Sequence, residues 1–246
     1  MAILVAEGAQ ALTMRRVAAE LDTGPASLYV YVRNATELSS LLIDRLIASL
    51  DLSWDGAEPW RDRLHRLLAD YSAMLAAHPG IARSALFVWP DGPHYLDLIE
   101  LLMRLLTTAG VRPEPAGRAT DLLLQHATAA VAEWDGRRDR GEQDLSDLVA
   151  TLDAADPERH PTLNALGSAL FVRGSHEERS AWIIDVMLDG VLARSSRRRL
   201  DQSTSVNGIV NDAVPTLLRN TAEPAAPADD TQPTDGDPVQ HADEQA

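Results

Sequence analysis

The feature that most limits this chain is its periodicity. Apolar residues recur at helical spacing along it, and no stretch alternates in the way a half-buried strand does. Residues 14–21 show the rule in miniature: Met14, Val17, Ala18 and Leu21 fall at i, i+3, i+4 and i+7, one face of a helix, with Thr13 placed before them as an N-cap. Asp22-Thr23-Gly24 breaks the run, and Pro25 suits the first position of a second helix, predicted to about Val32. Asn34, with Glu37 three residues on, resembles a capping box and opens a third helix to about Leu50.

The same reading continues downstream. Helices are predicted from Pro59 to His78-Pro79, from Gly80 to Phe87, through "HYLDLIELLMRLLTTAG" to Gly110, and from about Pro115 to Trp134. Residues 136–162 are charged and read as a solvated loop with one weak helix near 144–152. Ser175-His176-Glu177-Glu178 makes a capping box that opens a helix to about Arg194. The expected fold is all-α: a small N-terminal three-helix unit in residues 1–50, then a larger helical domain in residues 51–200.

Composition bears on what such a bundle can bind. The 246-residue chain carries a net charge of −15, and its 22 cationic residues are all arginine. From Asp201 onward nine acidic residues face Arg219 alone. This Pro-, Asp- and Ala-rich segment, residues 201–246, has too little apolar surface to offset its ordering entropy and is expected to be disordered. With the tail set aside, the first 50 residues are close to neutral, so acidity does not exclude a nucleic-acid partner. The chain has no cysteine, which excludes disulfides and thiolate metal sites. "MAILVAEG" lacks the basic start of a signal peptide, and no run approaches the ~18 apolar residues of a membrane span. A cytoplasmic protein without membrane contact is expected. Gly-rich phosphate loops, nucleophile elbows and HExxH patterns are missing, so no enzyme activity, cofactor or metal site is expected. His94 and Asp97 have a spacing that could hold a cation, but such pairs are usually surface polar residues.

Two short helices joined by a tight turn form a helix-turn-helix when the second helix anchors one face and offers small or hydrogen-bonding residues on the other. Within residues 25–32, Leu28 and Val32 suit the anchoring face, leaving Pro25, Ala26, Ser27, Tyr29 and Val30 outward to approach base edges. Arg15 and Arg16 in the preceding helix can reach phosphates or a guanine. Pattern alone leaves a plain helical hairpin open as the other reading.

The segment "EGAQALTMRRVAAELDTGPASLYVYVRNATEL" resembles the N-terminal domain of TetR-family transcriptional repressors in its Leu-Thr, Arg-Arg-Val-Ala, Leu-Tyr and Val-x-Asn skeleton. The run from "WRDRLHRLLADYSAMLAAHPGIARSALF" to "GPHYLDLIELLMRLLTTAG" is more loosely similar to the effector domain of the tetracycline-repressor subgroup. The resemblance implies a ligand-responsive repressor. It would be a homodimer that binds double-stranded DNA at a near-palindromic operator and leaves it when a small-molecule effector binds. By the same resemblance, base reading falls on Pro25, Ala26, Ser27, Tyr29 and Val30, helix-2 contacts on Thr13, Met14 and Arg15, and phosphate contacts on Ser27, Tyr31 and Arg33.

Four departures from the family pattern stand out. Asp22 replaces the usual turn Gly, Tyr31 a common His, and Ala35 a phosphate-touching Lys. Fewer than two turns of helix precede Gly8, where the family carries more. The start is therefore expected to lie upstream; if it does not, DNA binding is expected to be weakened or lost, leaving a small-molecule or protein-interaction module.

For the larger domain, apolar side chains with polar fixtures suggest a ligand pocket at Phe87, Trp89, His94, Tyr95, Met103, His126 and Trp134, the alternative being that Met103 and Phe87 are core residues and that His94 simply opens its helix. The helices around 115–134 and 175–194 carry more apolar surface than one face buries. Leu123, Ala127, Ala130, Ile184, Leu188 and Val191 are accordingly expected at a four-helix dimer interface, with an ordinary core as the alternative.

Overall fold

A computed structural model of the chain describes residues 1–138, 143–169 and 173–196. The acidic tail expected to be disordered lies outside them. The described residues form helices and turns with no strand. In order these are α1 (Ala2–Glu7), a 3-10 turn (Ala9–Ala11), α2 (Met14–Glu20), α3 (Pro25–Leu28), α4 (Ala35–Ile47), α5 (Trp60–Ala76), α6 (Ile81–Ala85), α7 (Pro93–Thr108), α8 (Pro113–Arg138), α9 (Gln143–Asp153), α10 (Pro161–Leu166) and α11 (residues 176–196).

Local chemistry explains most boundaries. The Thr13 hydroxyl accepts the Arg16 N–H at 3.1 Å and caps α2. Asn34 Oδ1 accepts the Glu37 N–H at 2.9 Å and caps α4, but the Glu37 carboxylate turns back to the Arg33 N–H at 2.6 Å rather than to Asn34. Ser175 and Glu178 make the full reciprocal box at 3.1 and 2.8 Å. α3 ends sooner than expected: after Leu28 the chain continues in tight turns to Val32, with Tyr31 N–H on Leu28 O. Asp22 holds φ +48°, the left-handed conformation usually left to Gly, which Asp adopts at modest cost. α8 runs one turn beyond the expected end at Trp134, and α10 was not anticipated. The short N-terminal segment does form a helix, its Ile3 and Leu4 buried.

Two hydrophobic clusters result. The larger takes Leu4 from α1, Ile43, Leu46 and Ile47 from α4, and the inner faces of α5, α6, α7, α8 and α11. α7 supplies Leu98, Leu101, Leu102, Leu105 and Leu106, all at most 1% exposed, each contributing about 1.5–3 kcal/mol of burial. The smaller cluster holds the helix-turn-helix together: Met14, Ala18, Leu28, Val32 and Leu38. α4 belongs to both and so ties them together.

Candidate DNA-reading head and effector cleft

The head is built by that smaller cluster. Leu28 and Val32 turn inward as their spacing required, at 7% and 6% exposed. This leaves Pro25, Ala26, Ser27, Tyr29, Val30 and Tyr31 on the surface, with Val30 and Tyr31 about four-fifths exposed. Thr13 and Arg15 lie on the exposed side of α2, and Arg15 makes no ion pair among the described residues. Two of the expected contacts are placed otherwise. Met14 is 8% exposed and packs in the head's core, because position i of the apolar face cannot also face DNA. The Arg16 guanidinium does not project freely. It binds Glu7 of α1, with Nη2–Oε1 at 2.6 Å and Nε–Oε1 at 3.1 Å, and Glu20 at 2.9 Å. These hydrogen bonds hold Glu7 below the usual carboxylate range and raise Arg16. Arg33 reaches Glu37 at 3.1 Å yet remains largely exposed.

A concave feature lies between the C-terminal half of α8 and the first turns of α11. This open cleft of about 520 Å³ is lined by His126, Ala130, Trp134, His176, Arg179 and Ile183 among others. Trp134 and His176 stack with ring centroids 5.3 Å apart and planes inclined by 30°. His126 Nε2 is buried without a hydrogen-bond partner among the described residues. Burial first, and His176 second, push its imidazole below the ordinary histidine value, which favours the neutral ring. Arg137 is engaged by Glu133 at 2.5 Å, whereas Arg179 makes no ion pair among the described residues.

Of the seven expected ligand residues, only His126 and Trp134 line this cleft. Phe87 and Trp89 are 82% and 80% exposed, because the turn after α6 carries them away from the core. Met103 and Tyr95 pack against the main core; the Tyr95 N–H donates to Asp44, and burial, then Asp121, raises its phenol. His94 is half-buried in the first turn of α7. Sequence reasoning missed His176 and Arg179. Ser175-His176-Glu177-Glu178 signals a helix start, but nothing in one chain's order says that this turn meets α8.

The expected dimer residues are also largely consumed within the chain. Leu123, Ala127, Ile184 and Leu188 are at most 5% exposed, since α8 and α11 pack on each other. Val191 is half-buried in that seam beside Ala119 and Leu122, and Ala130 lines the cleft. What faces outward on these helices is Leu122, Trp182 and Val186, at 42%, 67% and 51% exposed.

Comparison with known proteins decides the family. The sequence profile of the tetracyclin repressor-like C-terminal domain matches residues 54–195, more than half of the chain. The chain belongs to the TetR family of transcriptional regulators. Among curated relatives of this TetR-family chain, the transcriptional repressor DrrR1 of Streptomyces coeruleorubidus is 36% identical over 107 residues, 43% of this chain and 40% of its own length. The chain thus spans well under two thirds of the curated relatives it matches, about half for a regulator of Saccharopolyspora erythraea. A solved transcription regulator of Streptomyces coelicolor is 43% identical, with a TM-score of 0.65 over 78% of this chain and 89% of that one. ActR of the same organism, solved alone and with actinorhodin, is 30% identical; the ligand-free form has a TM-score of 0.71 over 79% and 93% of the two chains. Among the described residues no helix is long and apolar enough to cross a membrane.

Proposed function

We propose that this TetR-family chain is a ligand-responsive transcriptional repressor rather than an enzyme, acting in the cytoplasm as a homodimer. Each α3 enters a major groove of a near-palindromic operator, the two half-sites about 34 Å apart along the duplex. The observation that carries this reading is the exposed face of Pro25, Ala26, Ser27, Tyr29 and Val30, anchored from behind by Leu28 and Val32. Leu122, Trp182 and Val186, exposed on α8 and α11, are the apolar surface that a second copy would cover.

The effector occupies the α8–α11 cleft. A planar aromatic molecule fits the Trp134–His176 pair, Arg179 supplies a cation for an acidic substituent, and neutral His126 supplies a ring nitrogen for hydrogen bonding. ActR, which binds actinorhodin, makes this chemistry a natural first trial. The α8 end of the cleft is wired toward the head. Asp135, next to Trp134, accepts the Gly80 N–H at 3.3 Å, and Pro79 O accepts the Ala9 N–H at 3.2 Å. A ligand that shifts this end of α8 therefore strains the contacts of α1, and dissociation follows if the bound geometry disfavours the operator-binding spacing.

The test is a gel-shift titration of the full-length chain on duplexes selected from a random-sequence pool, repeated with actinorhodin and followed by tryptophan fluorescence. Selection of a near-palindrome, with release that weakens in Trp134→Ala and His176→Ala, is expected. Binding with no sequence preference, or release indifferent to both substitutions, would sink the reading.

A further inference from the structure

The geometry points to Arg16 as a positioning residue of the reading head, not a phosphate contact. Through Glu7 it sets the angle between the helix-turn-helix and the effector body. The inference rests on the DNA-binding reading above. α2 and α3 have their own small core, while α1 contributes Leu4 to the large one and is followed by Ala9 and Leu12 packed on the same cluster. The continuous chain at Leu12–Thr13 and α4 join these parts, with Ser40 of α4 bonded to Asp91 at 3.0 Å and Asp44 to the Tyr95 N–H at 2.9 Å. Among the described residues, Arg16–Glu7 is the one ion pair between α2 and an element outside the helix-turn-helix.

The arrangement is specific in form. The flat fork of Arg16 presents Nε and Nη2 to one carboxylate and Nη1 to a second, Glu20, so its donors on both edges are engaged. Three of its five N–H groups are thereby committed to the two acids, which fixes where the guanidinium sits. α1 has six residues, too few to be stable alone, and it stays in place through Leu4, the Pro79 O–Ala9 N–H bond and this fork. Of the three guanidiniums around the reading face, Arg16 is held by two acids, Arg33 meets Glu37 through Nε alone and stays largely exposed, and Arg15 makes no ion pair among the described residues.

Glu7→Gln separates the two roles because they predict opposite signs. A phosphate-contacting Arg16 freed from Glu7 would tighten operator binding and steepen its salt dependence by about 0.9 in the slope of log K for each head. A positioning Arg16 would lose its anchor, and binding would weaken although a negative charge has been removed. The experiment measures operator affinity of the full-length chain across a salt series, on a duplex it selects from a random pool. Glu7→Gln, Arg16→Gln and the charge swap Glu7→Arg/Arg16→Glu are compared, with Arg15→Gln as the control that flattens the slope. Melting temperatures establish that each variant is folded. We expect Glu7→Gln and Arg16→Gln each to weaken binding at least about threefold at unchanged slope, and the swap to regain most of it. Tighter binding or unchanged affinity in Glu7→Gln, or a swap no better than Arg16→Gln alone, overturns the inference. Loss of sequence preference in the unaltered chain would instead overturn the DNA-binding reading itself.

Discussion

Gly92→Ala should unseat the contact by which α4 grips α7. Gly92 has φ −82°, open to any residue, so alanine would meet no backbone strain there. The obstacle is steric, because a Cβ would fall well inside contact distance of the Asp44 carboxylate. Asp44 is 8% exposed, and its Oδ1 accepts the Tyr95 N–H at 2.9 Å in the first turn of α7. The anion there also faces the positive end of a 16-residue helix. Since the far end of a side chain yields more readily than backbone, the carboxylate must swing away. The loss is one charge-assisted hydrogen bond, about 1.5–3 kcal/mol, with part of the dipole interaction added. We expect Gly92→Ala to destabilise the chain by about 2–3 kcal/mol, lowering Tm by about 4–12 °C for a protein of this size. Urea unfolding of Gly92→Ala, Asp44→Ala and the double variant forms a cycle that reads the coupling. Once Asp44 is truncated the added methyl has room, so the double variant should be no less stable than Asp44→Ala alone. Strictly additive losses, or a Gly92→Ala chain within about 0.5 kcal/mol of the parent, would refute the reasoning.

Two further outcomes are expected. Tyr71→Phe removes the buried 3.0 Å bond between the phenol and the Thr128 hydroxyl, and leaves that hydroxyl without this partner at 5% exposure. Chemical denaturation should show a loss of about 1–2 kcal/mol, with no change in operator affinity beyond what stability explains. His126, held below its ordinary value by burial, binds fewer protons folded than unfolded as pH falls below about 6.5. Its contribution is therefore complete above that pH and lost on the way down to the folded value. The stability profile of His126→Gln should be flatter than the parent's across that window, and identical profiles would contradict the burial argument.

Local chemistry in the chain's order determined the elements. Thr13, Asn34 and Ser175 cap where their side chains predict, and Leu28 with Val32 anchors the recognition segment, because capping and periodicity depend only on neighbours within a turn or two. Family likeness reached further, to an all-helical regulator. What remained illegible was which of two compatible partners a side chain would choose. Met14 fitted both a DNA contact and a core position, and the core took it. Arg16 fitted a phosphate, and it met Glu20 one turn on in its own helix and Glu7 across the turn that joins α1 to α2. Leu123, Ile184 and Leu188 fitted a partner subunit, and the packing of α8 on α11 buried them within one chain.

The same limit applies to the cleft. His126 and Trp134 were visible as candidates, but His176 joins them from 50 positions beyond His126, stacked on Trp134. Phe87 and Trp89, equally plausible by residue type, face solvent. The sequence by itself determined most of the helices, the caps at Thr13, Asn34 and Ser175 and the outward face of residues 25–31, since each follows from interactions local along the chain. Only the tertiary structure decided the pairing of Arg16 with Glu7 of α1, the grip of Asp44 on α7 and the walls of the cleft. Those depend on contacts between separate elements, and many residues of the right type competed for each of them.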